Sequence, residues 1–207
     1  MTTRTGLFVT LEGGEGAGKS TAAAALAETL RGEGRDVLLT REPGGTPAAE
    51  AIRALLLGDL PLDPLAQTML HFAARADHVA ALIRPALSRG AVVICDRYAD
   101  STMAYQGFGL GVDVTAVASM IRLVDLQPDV TFILEVSDSV AIKRRESRGG
   151  ADDRYERMNA DTRARIANGF RAIAAADPSR CVLVDAGQSP EAVAAALRAR
   201  LKERCGI

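Results

Sequence analysis

Gly13-Gly14-Glu15-Gly16-Ala17-Gly18-Lys19-Ser20 fits the pattern G-x-x-x-x-G-K-[ST] at every fixed position, with Thr21 directly after it. Glycines let such a backbone curl, so that successive N–H groups point inward at phosphate oxygens. Lys19 is placed to reach β- and γ-phosphates, and the Ser20 hydroxyl to ligate Mg²⁺. Both flanks agree. Leu7–Glu12, a short apolar run, reads as a strand, and the alanine-rich Lys19–Leu30 reads as a helix. That helix aims its positive end at the same place. The segment implies a nucleoside triphosphate site.

A second carboxylate is expected to help hold the water shell of the Mg²⁺. Asp96 closes the apolar run Ala91–Cys95, where strand ends open onto the ligand crevice of a parallel sheet, and is its candidate. Arg97 follows at once and could meet a second phosphate. Cys95, Cys181 and Cys205 are far apart and lack CxxC spacing. With His71 and His78 they assemble no familiar zinc pattern, and a reducing compartment is expected.

These residues need a scaffold, and strand and helix signals alternate along the whole chain. Strands are predicted at Leu7–Glu12, Asp36–Arg41, Ala91–Asp96, Val130–Val136 and Arg180–Asp185. Thr46-Pro47, Asp63-Pro64 and Ser189-Pro190 open helices to about Leu57, Leu87 and Arg204. Further helices are predicted over Val112–Asp125, Ser137–Arg148 and Asp153–Ala175. Leu65, Met69, Phe72, Ala76, Val79 and Ile83 recur at helical steps and read as a core stripe. Gly107–Gly111 and Gly149-Gly150 read as mobile loops. The pattern is a five-stranded parallel sheet flanked by helices, α/β in class, in one domain over residues 1–207.

Composition narrows the partners. Lys+Arg 25 against Asp+Glu 26 argues against binding nucleic acid or membrane through overall basicity. Lys19, Lys143 and Lys202 are the only lysines, so every other cation of this kind is an arginine. No signal peptide and no apolar stretch of membrane-spanning length is read, so a soluble, cytoplasmic protein is expected.

Beyond the phosphate loop, Leu11-Glu12 precedes it and Thr40-Arg41-Glu42-Pro43-Gly44-Gly45-Thr46 follows. Then come Phe72-Ala73-Ala74-Arg75, Asp96-Arg97-Tyr98 and Ser101-Thr102-Met103-Ala104-Tyr105-Gln106-Gly107. In order and spacing these resemble the thymidylate kinases, from about residue 5 to residue 195. The resemblance implies a three-layer fold of the P-loop NTPase type and transfer of the γ-phosphoryl group of MgATP to dTMP. The dTDP formed would supply dTTP and DNA precursors.

Residue roles follow from the resemblance. Arg97 and Arg41 would hold the dTMP phosphate, and Glu15 would meet the nucleoside 3′-hydroxyl. Glu12 either shares that polar cluster or is structural. Arg75 would read a thymine carbonyl. The aromatic that stacks on the base normally lies four positions before that arginine, which here is His71, while Phe72 lies one step round the helix. Thr102, Tyr105 and Gln106 fall in the base- and sugar-recognition segment, with Tyr105 checking a ribose 2′-hydroxyl. The family forms homodimers through helices on one side of the sheet.

Some thymidylate kinases carry an arginine inside the phosphate loop, at the place of Gly16 here. The cation must then come from elsewhere. Lys143, Arg144, Arg145, Arg148, Arg154 and Arg157 crowd a segment resembling the lid of bacterial-type enzymes, at about residues 143–157. Arg148 is the first candidate for the catalytic cation and Arg154 the second. Asp185-Ala186-Gly187-Gln188 is expected beside adenine. The rival readings are a kinase for another nucleoside monophosphate and a non-catalytic nucleotide-binding protein. A GTP switch is disfavoured, because no lysine follows an asparagine as guanine reading requires.

Overall fold

The computed structural model describes residues 5–149 and 154–207, the side chain of Arg148 excepted. Strand β1 (Leu7–Gly13) organises the molecule through its alternation. Val9 and Leu11 enter the core formed with α1 (Lys19–Gly32) and α9 (Pro190–Cys205). Phe8 enters the opposite layer, beside Val79, Ile83 and Tyr98. Thr10 and Glu12 share the side of Phe8, so that face turns polar toward the strand's C-terminal end.

The other strands are β2 (Val37–Arg41), β3 (Val92–Asp96), β4 (Val130–Glu135) and β5 (Cys181–Asp185). They form a five-stranded parallel sheet in the order β2-β3-β1-β4-β5. Asp96 pairs in register with Leu11 on one side and Arg41 on the other, while Gly13 stands opposite Leu134. The phosphate loop, Asp96 and Arg41 therefore leave the sheet along one edge.

Helices begin where the caps predict. The Thr46 hydroxyl accepts from the Ala49 N–H at 3.1 Å and opens α2 (Pro47–Leu57). Asp63 accepts from the Leu65 N–H at 2.8 Å and opens α3 (Pro64–His78). A π-helical turn, Val79–Ile83, joins α3 to α4 (Arg84–Ser88), so the long predicted helix is continuous but locally underwound. After β3 come α5 (Ala99–Thr102), a π-helical segment over Met103–Gly109 and α6 (Val114–Val124). Two more, α7 (Asp138–Arg148) and α8 (Ala160–Ala176), follow β4.

Three expectations need correction. Gly107 and Gly109 belong to the buried helical segment rather than a mobile loop, and Gly109 packs on Ile166. The helix expected from Asp153 starts at Ala160, because the Asn159 side chain caps it and residues 154–157 form turns. Asp153 and Gly150 lie outside the described residues. Finally, Leu65 and Met69 are 43% and 54% exposed and Ala76 is exposed too. Only Phe72, Val79 and Ile83 of the predicted stripe are buried. The buried face of α3 is instead partly polar, with Gln67, Thr68, Arg75 and His78. Among the described residues no helix is long and apolar enough to cross a membrane.

Candidate active site

A cavity of about 830 Å³ opens along the C-terminal edge of the sheet. Glu15, Gly16, Ala17, Gly18, Lys19, Ser20 and Thr21 line one end, and Gly13 and Gly14 lie behind them. Gly16 takes φ 76°, and a Cβ there would stand 2.5 Å from the carbonyl oxygen of Ala141 in α7. Lys19 Nζ donates to the Gly14 carbonyl at 2.7 Å. Burial, then the charge of Arg97, pulls the ammonium down to about 8. It is desolvated and waiting for anionic company.

The Ser20 hydroxyl donates to Asp96 Oδ2 at 2.5 Å. Asp96 Oδ1 is buried and has no hydrogen-bond partner among the described residues. A hydroxyl and a carboxylate with one unsatisfied oxygen, both hard oxygen donors, fit Mg²⁺.

Arg97 sits immediately beyond, at φ 70°. A non-glycine residue in that region costs on the order of 1–3 kcal/mol and persists only where its surroundings over-determine it. They do. Its Nη2 donates to Glu15 at 2.5 Å and to the Tyr105 hydroxyl at 3.2 Å, and its Nη1 to the Gly13 carbonyl at 3.0 Å. The Tyr105 hydroxyl also donates to Glu15, at 2.9 Å. Burial works against the guanidinium charge, but Glu15, Tyr105, Asp96 and Glu12 outweigh it and raise its pKa. Arg41 behaves differently. It pairs with Glu50 at 3.1 Å, with 56% of its side chain exposed. Arg53, which sequence reasoning passed over, lines the cavity and is anchored through Nη1 to the Pro43 carbonyl at 2.8 Å.

Arg75 lies at the far end, 2% exposed. Its Nε donates to Glu42 at 2.7 Å and its Nη2 to the Thr102 hydroxyl at 3.0 Å. Nη1 is buried and finds no partner among the described residues. Glu42 also meets His78 Nδ1 at 3.0 Å, and His78 Nε2 meets the Thr40 hydroxyl at 2.8 Å. A Cβ on Gly45 would stand 2.5 Å from His78 Nε2, so glycine there lets the loop close over the relay. Neither Glu42, although inside the quoted R-E-P-G-G-T run, nor His78 has a role assigned from the sequence.

His71 lines the cavity, whereas Phe72 is buried outside its wall with the Arg75 guanidinium 4.8 Å above its ring. His71 Nε2 shares a hydrogen bond with the Tyr155 hydroxyl at 2.8 Å, and Gln106 Nε2 donates to the same hydroxyl at 3.4 Å. Burial, then Arg75, Arg97 and Arg53, holds the imidazole down at about 3, so it is neutral. Tyr155 was not foreseen; it stands edge-on to Tyr105, ring centres 5.5 Å apart.

In the lid segment Arg144 and Arg145 face the cavity. Arg144 lies against the Ala17 and Gln188 carbonyls, at 3.5 and 3.3 Å. Arg145 Nη1 donates to the Glu156 carbonyl at 3.1 Å. Arg154 is not in the cavity wall: it donates to the carbonyls of Gly58 and Leu60. The side chain of Arg148 lies outside the described residues. Ala186 and Gln188, expected beside adenine, line the cavity.

The family model described as thymidylate kinase matches residues 11–197. The thymidylate kinase of Gluconobacter oxydans (strain 621H) is 55% identical over 197 residues, covering 93% of this chain and 92% of that protein. That of Chromohalobacter salexigens is 50% identical over 204 residues, 96% of each. Among solved structures, thymidylate kinase from Ehrlichia chaffeensis superposes with a TM-score of 0.78 at 35% identity, covering 95% of this chain and 98% of that one.

Proposed function

Because the chain belongs to the thymidylate kinase family, we propose that the cavity seats ATP at its phosphate-loop end and dTMP at its Arg75 end. The enzyme is an ATP-dependent nucleoside monophosphate kinase that phosphorylates dTMP to dTDP. The dTDP feeds dTTP synthesis and so the supply of DNA precursors.

The observation that carries the assignment of ends is Arg75, which lines the cavity and keeps a buried Nη1 without a partner among the described residues, a donor that a base carbonyl can satisfy. Neutral His71 offers its ring for stacking, with Phe72 as backing for Arg75 rather than as the stacking surface. Thr102 and Gln106 complete the base end. Tyr105 and Glu15 meet the sugar, where Tyr105 leaves no room for a ribose 2′-hydroxyl. Arg97 takes the dTMP phosphate, assisted by Arg41 and Arg53, which both line the cavity.

The acceptor is already an anionic phosphate oxygen, so no strong base is needed. Catalysis is positioning and charge neutralisation. Lys19 and Arg97 flank the transferred group from the donor and acceptor sides. Ser20 and Asp96 would hold Mg²⁺, which when bound neutralises charge on the β- and γ-phosphates. The lid at about 143–157 closes over ATP, excludes water and brings Arg148 to the reacting group, with Arg154 holding the lid to the α2–α3 loop. In this reading the protein acts in the cytoplasm as a homodimer. Exposed Leu65 and Met69, one turn apart on α3, form the apolar side that a second copy would cover.

The test is ADP release from MgATP with dTMP, dUMP, dGMP, AMP and UMP offered separately. A clear preference for dTMP is expected. Preference for AMP or UMP would overturn the assignment of the base end, and ADP release without acceptor would favour an ATPase.

A further inference from the structure

Glu12 is fully buried, yet both its oxygens reach into the turn that carries Arg97. Oε1 accepts the backbone N–H of Tyr98 at 2.8 Å, and Oε2 accepts the Ser101 hydroxyl at 2.5 Å. Ser101 Oγ in turn accepts Arg97 Nη1 at 3.1 Å. The Arg97 N–H donates to the Leu11 carbonyl at 2.9 Å, fixing the other side of the same turn to β1. The phosphate loop leaves β1 one residue after Glu12. One carboxylate thus joins the root of the donor cradle to the acceptor-side cation.

We propose that Glu12 is a positioning residue for the acceptor phosphate, holding the Arg97 turn and the Ser101 hydroxyl so that the guanidinium keeps a fixed place relative to the phosphate loop. The proposal rests on the reading of Arg97 as the group that takes the dTMP phosphate. Left-handed backbone at Arg97 needs external restraint, and Glu12 grips the peptide next to it. The hydroxyl that Glu12 orients offers its lone pair to the guanidinium. Neither contact is explained by core packing, since an apolar residue would fill the same space but leave the buried Tyr98 N–H without its acceptor.

The charged and titratable groups around Glu12 are Arg97 after β3, Asp100 on α5, Lys19 on α1, Cys95 on β3 and Cys181 on β5. Burial, then Asp100, lifts the Glu12 carboxyl to about 7. Ionised, it accepts both bonds and leaves Ser101 free to accept from Arg97. Protonated, it donates to Ser101 Oγ instead, and the serine proton loses its acceptor. The hold on Arg97 loosens.

Steady-state kinetics of Glu12→Gln, Ser101→Ala, their double variant and Arg97→Lys, with dTMP and ATP varied separately from pH 6 to 9, test this. Glu12→Gln is expected to raise the dTMP KM roughly tenfold, as for loss of one hydrogen bond to a charged group, with the ATP KM within about twofold. Ser101→Ala raises the dTMP KM less, and the double variant is no worse than Glu12→Gln, because the two act in series. The wild-type kcat/KM for dTMP carries an inflection near 7 that Glu12→Gln lacks, while the nucleotide's own ionisation at about 6 persists in both. An unchanged dTMP KM, or equal losses for both substrates, overturns the proposal. Should Glu12→Gln fail to fold, an unchanged dTMP KM in Ser101→Ala does the same. If Arg97→Lys leaves the dTMP KM unaltered, the reading of Arg97 itself fails and the proposal with it.

Discussion

The hydroxyl of Tyr155 stands 2.8 Å from Nε2 of His71, so a residue from the end of the lid segment grips one from the wall of the cavity. Tyr155→Phe keeps the edge-on contact with Tyr105 but removes that bond, together with the longer one that Gln106 donates to the same hydroxyl. We expect a dTMP KM about three- to tenfold higher, the scale of one neutral hydrogen bond, with the ATP KM unchanged. Substrate titrations of Tyr155→Phe and the wild-type protein side by side decide it. An equal rise for ATP would mean the whole lid had shifted.

Asp96→Asn keeps the hydrogen-bonding shape at Ser20 but removes the charge next to the buried, unpaired oxygen. Turnover should fall roughly a hundredfold, the scale of losing one preorganised electrostatic group. The Mg²⁺ concentration for half-maximal rate should rise with it. Initial rates across a Mg²⁺ series at fixed ATP are the measurement.

Among the lid arginines, Arg148→Ala should reduce kcat by about 10³, with the dTMP KM little changed. Arg154→Ala should act differently, because its guanidinium holds the Gly58 and Leu60 carbonyls. Its signature is faster proteolysis between residues 143 and 157. Full turnover in Arg148→Ala would hand the catalytic role to Arg144 or Arg145.

Two buried groups give stability opposite pH slopes. His71 is held down at about 3 in the fold against 6.5 when exposed, so the unfolded chain binds more protons between those values. Its contribution is therefore present above 6.5 and lost as pH falls toward 3. Glu12, lifted from 4.5 to about 7, contributes stability below 4.5 that is lost as pH rises through 7. Thermal melts from pH 4 to 8 should show His71→Asn flattening the acid limb and Glu12→Gln the neutral one. A profile unchanged by both substitutions would refute these assignments.

Met69→Glu, on the exposed apolar side of α3, should leave the melting temperature nearly unchanged and convert a dimer to a monomer in sedimentation. A wild-type chain that sediments as a monomer would remove the dimer from the reading.

The phosphate loop was legible because its chemistry is local: eight consecutive residues carry both the pattern and the strand and helix that frame it. Asp96 was legible for a related reason, since a carboxylate closing an apolar run can only stand at a sheet edge. Glu42 and His78 were not, because their meaning comes from contacts across the fold: Glu42 meets Arg75 and His78 from 33 and 36 residues away in the chain. Arg53 looked like any cation on an exposed helix until Pro43 was seen to anchor it. The stripe on α3 misled because that helix turns a partly polar face inward and leaves Leu65 and Met69 outside, and periodicity does not say which face is buried. The start of α8 slipped because Arg154 and Arg157 tie their segment to the α2–α3 loop, at Gly58 and Asp59, and so withhold it from the helix.

Gly16 bears on how this enzyme can change over evolutionary time. Where other members of the family place an arginine in the loop, this chain has a left-handed glycine lying against the backbone of α7. A single substitution there would meet both backbone strain and the Ala141 carbonyl before any cation reached a phosphate. On the proposed role of the lid, transfer of the catalytic charge from lid to loop requires α7 to retreat first, and α7 itself carries Arg144, Arg145 and Arg148. The two designs are separated by intermediates that have lost one cation without gaining the other. A lineage that adopts one arrangement is held to it by packing as well as by chemistry.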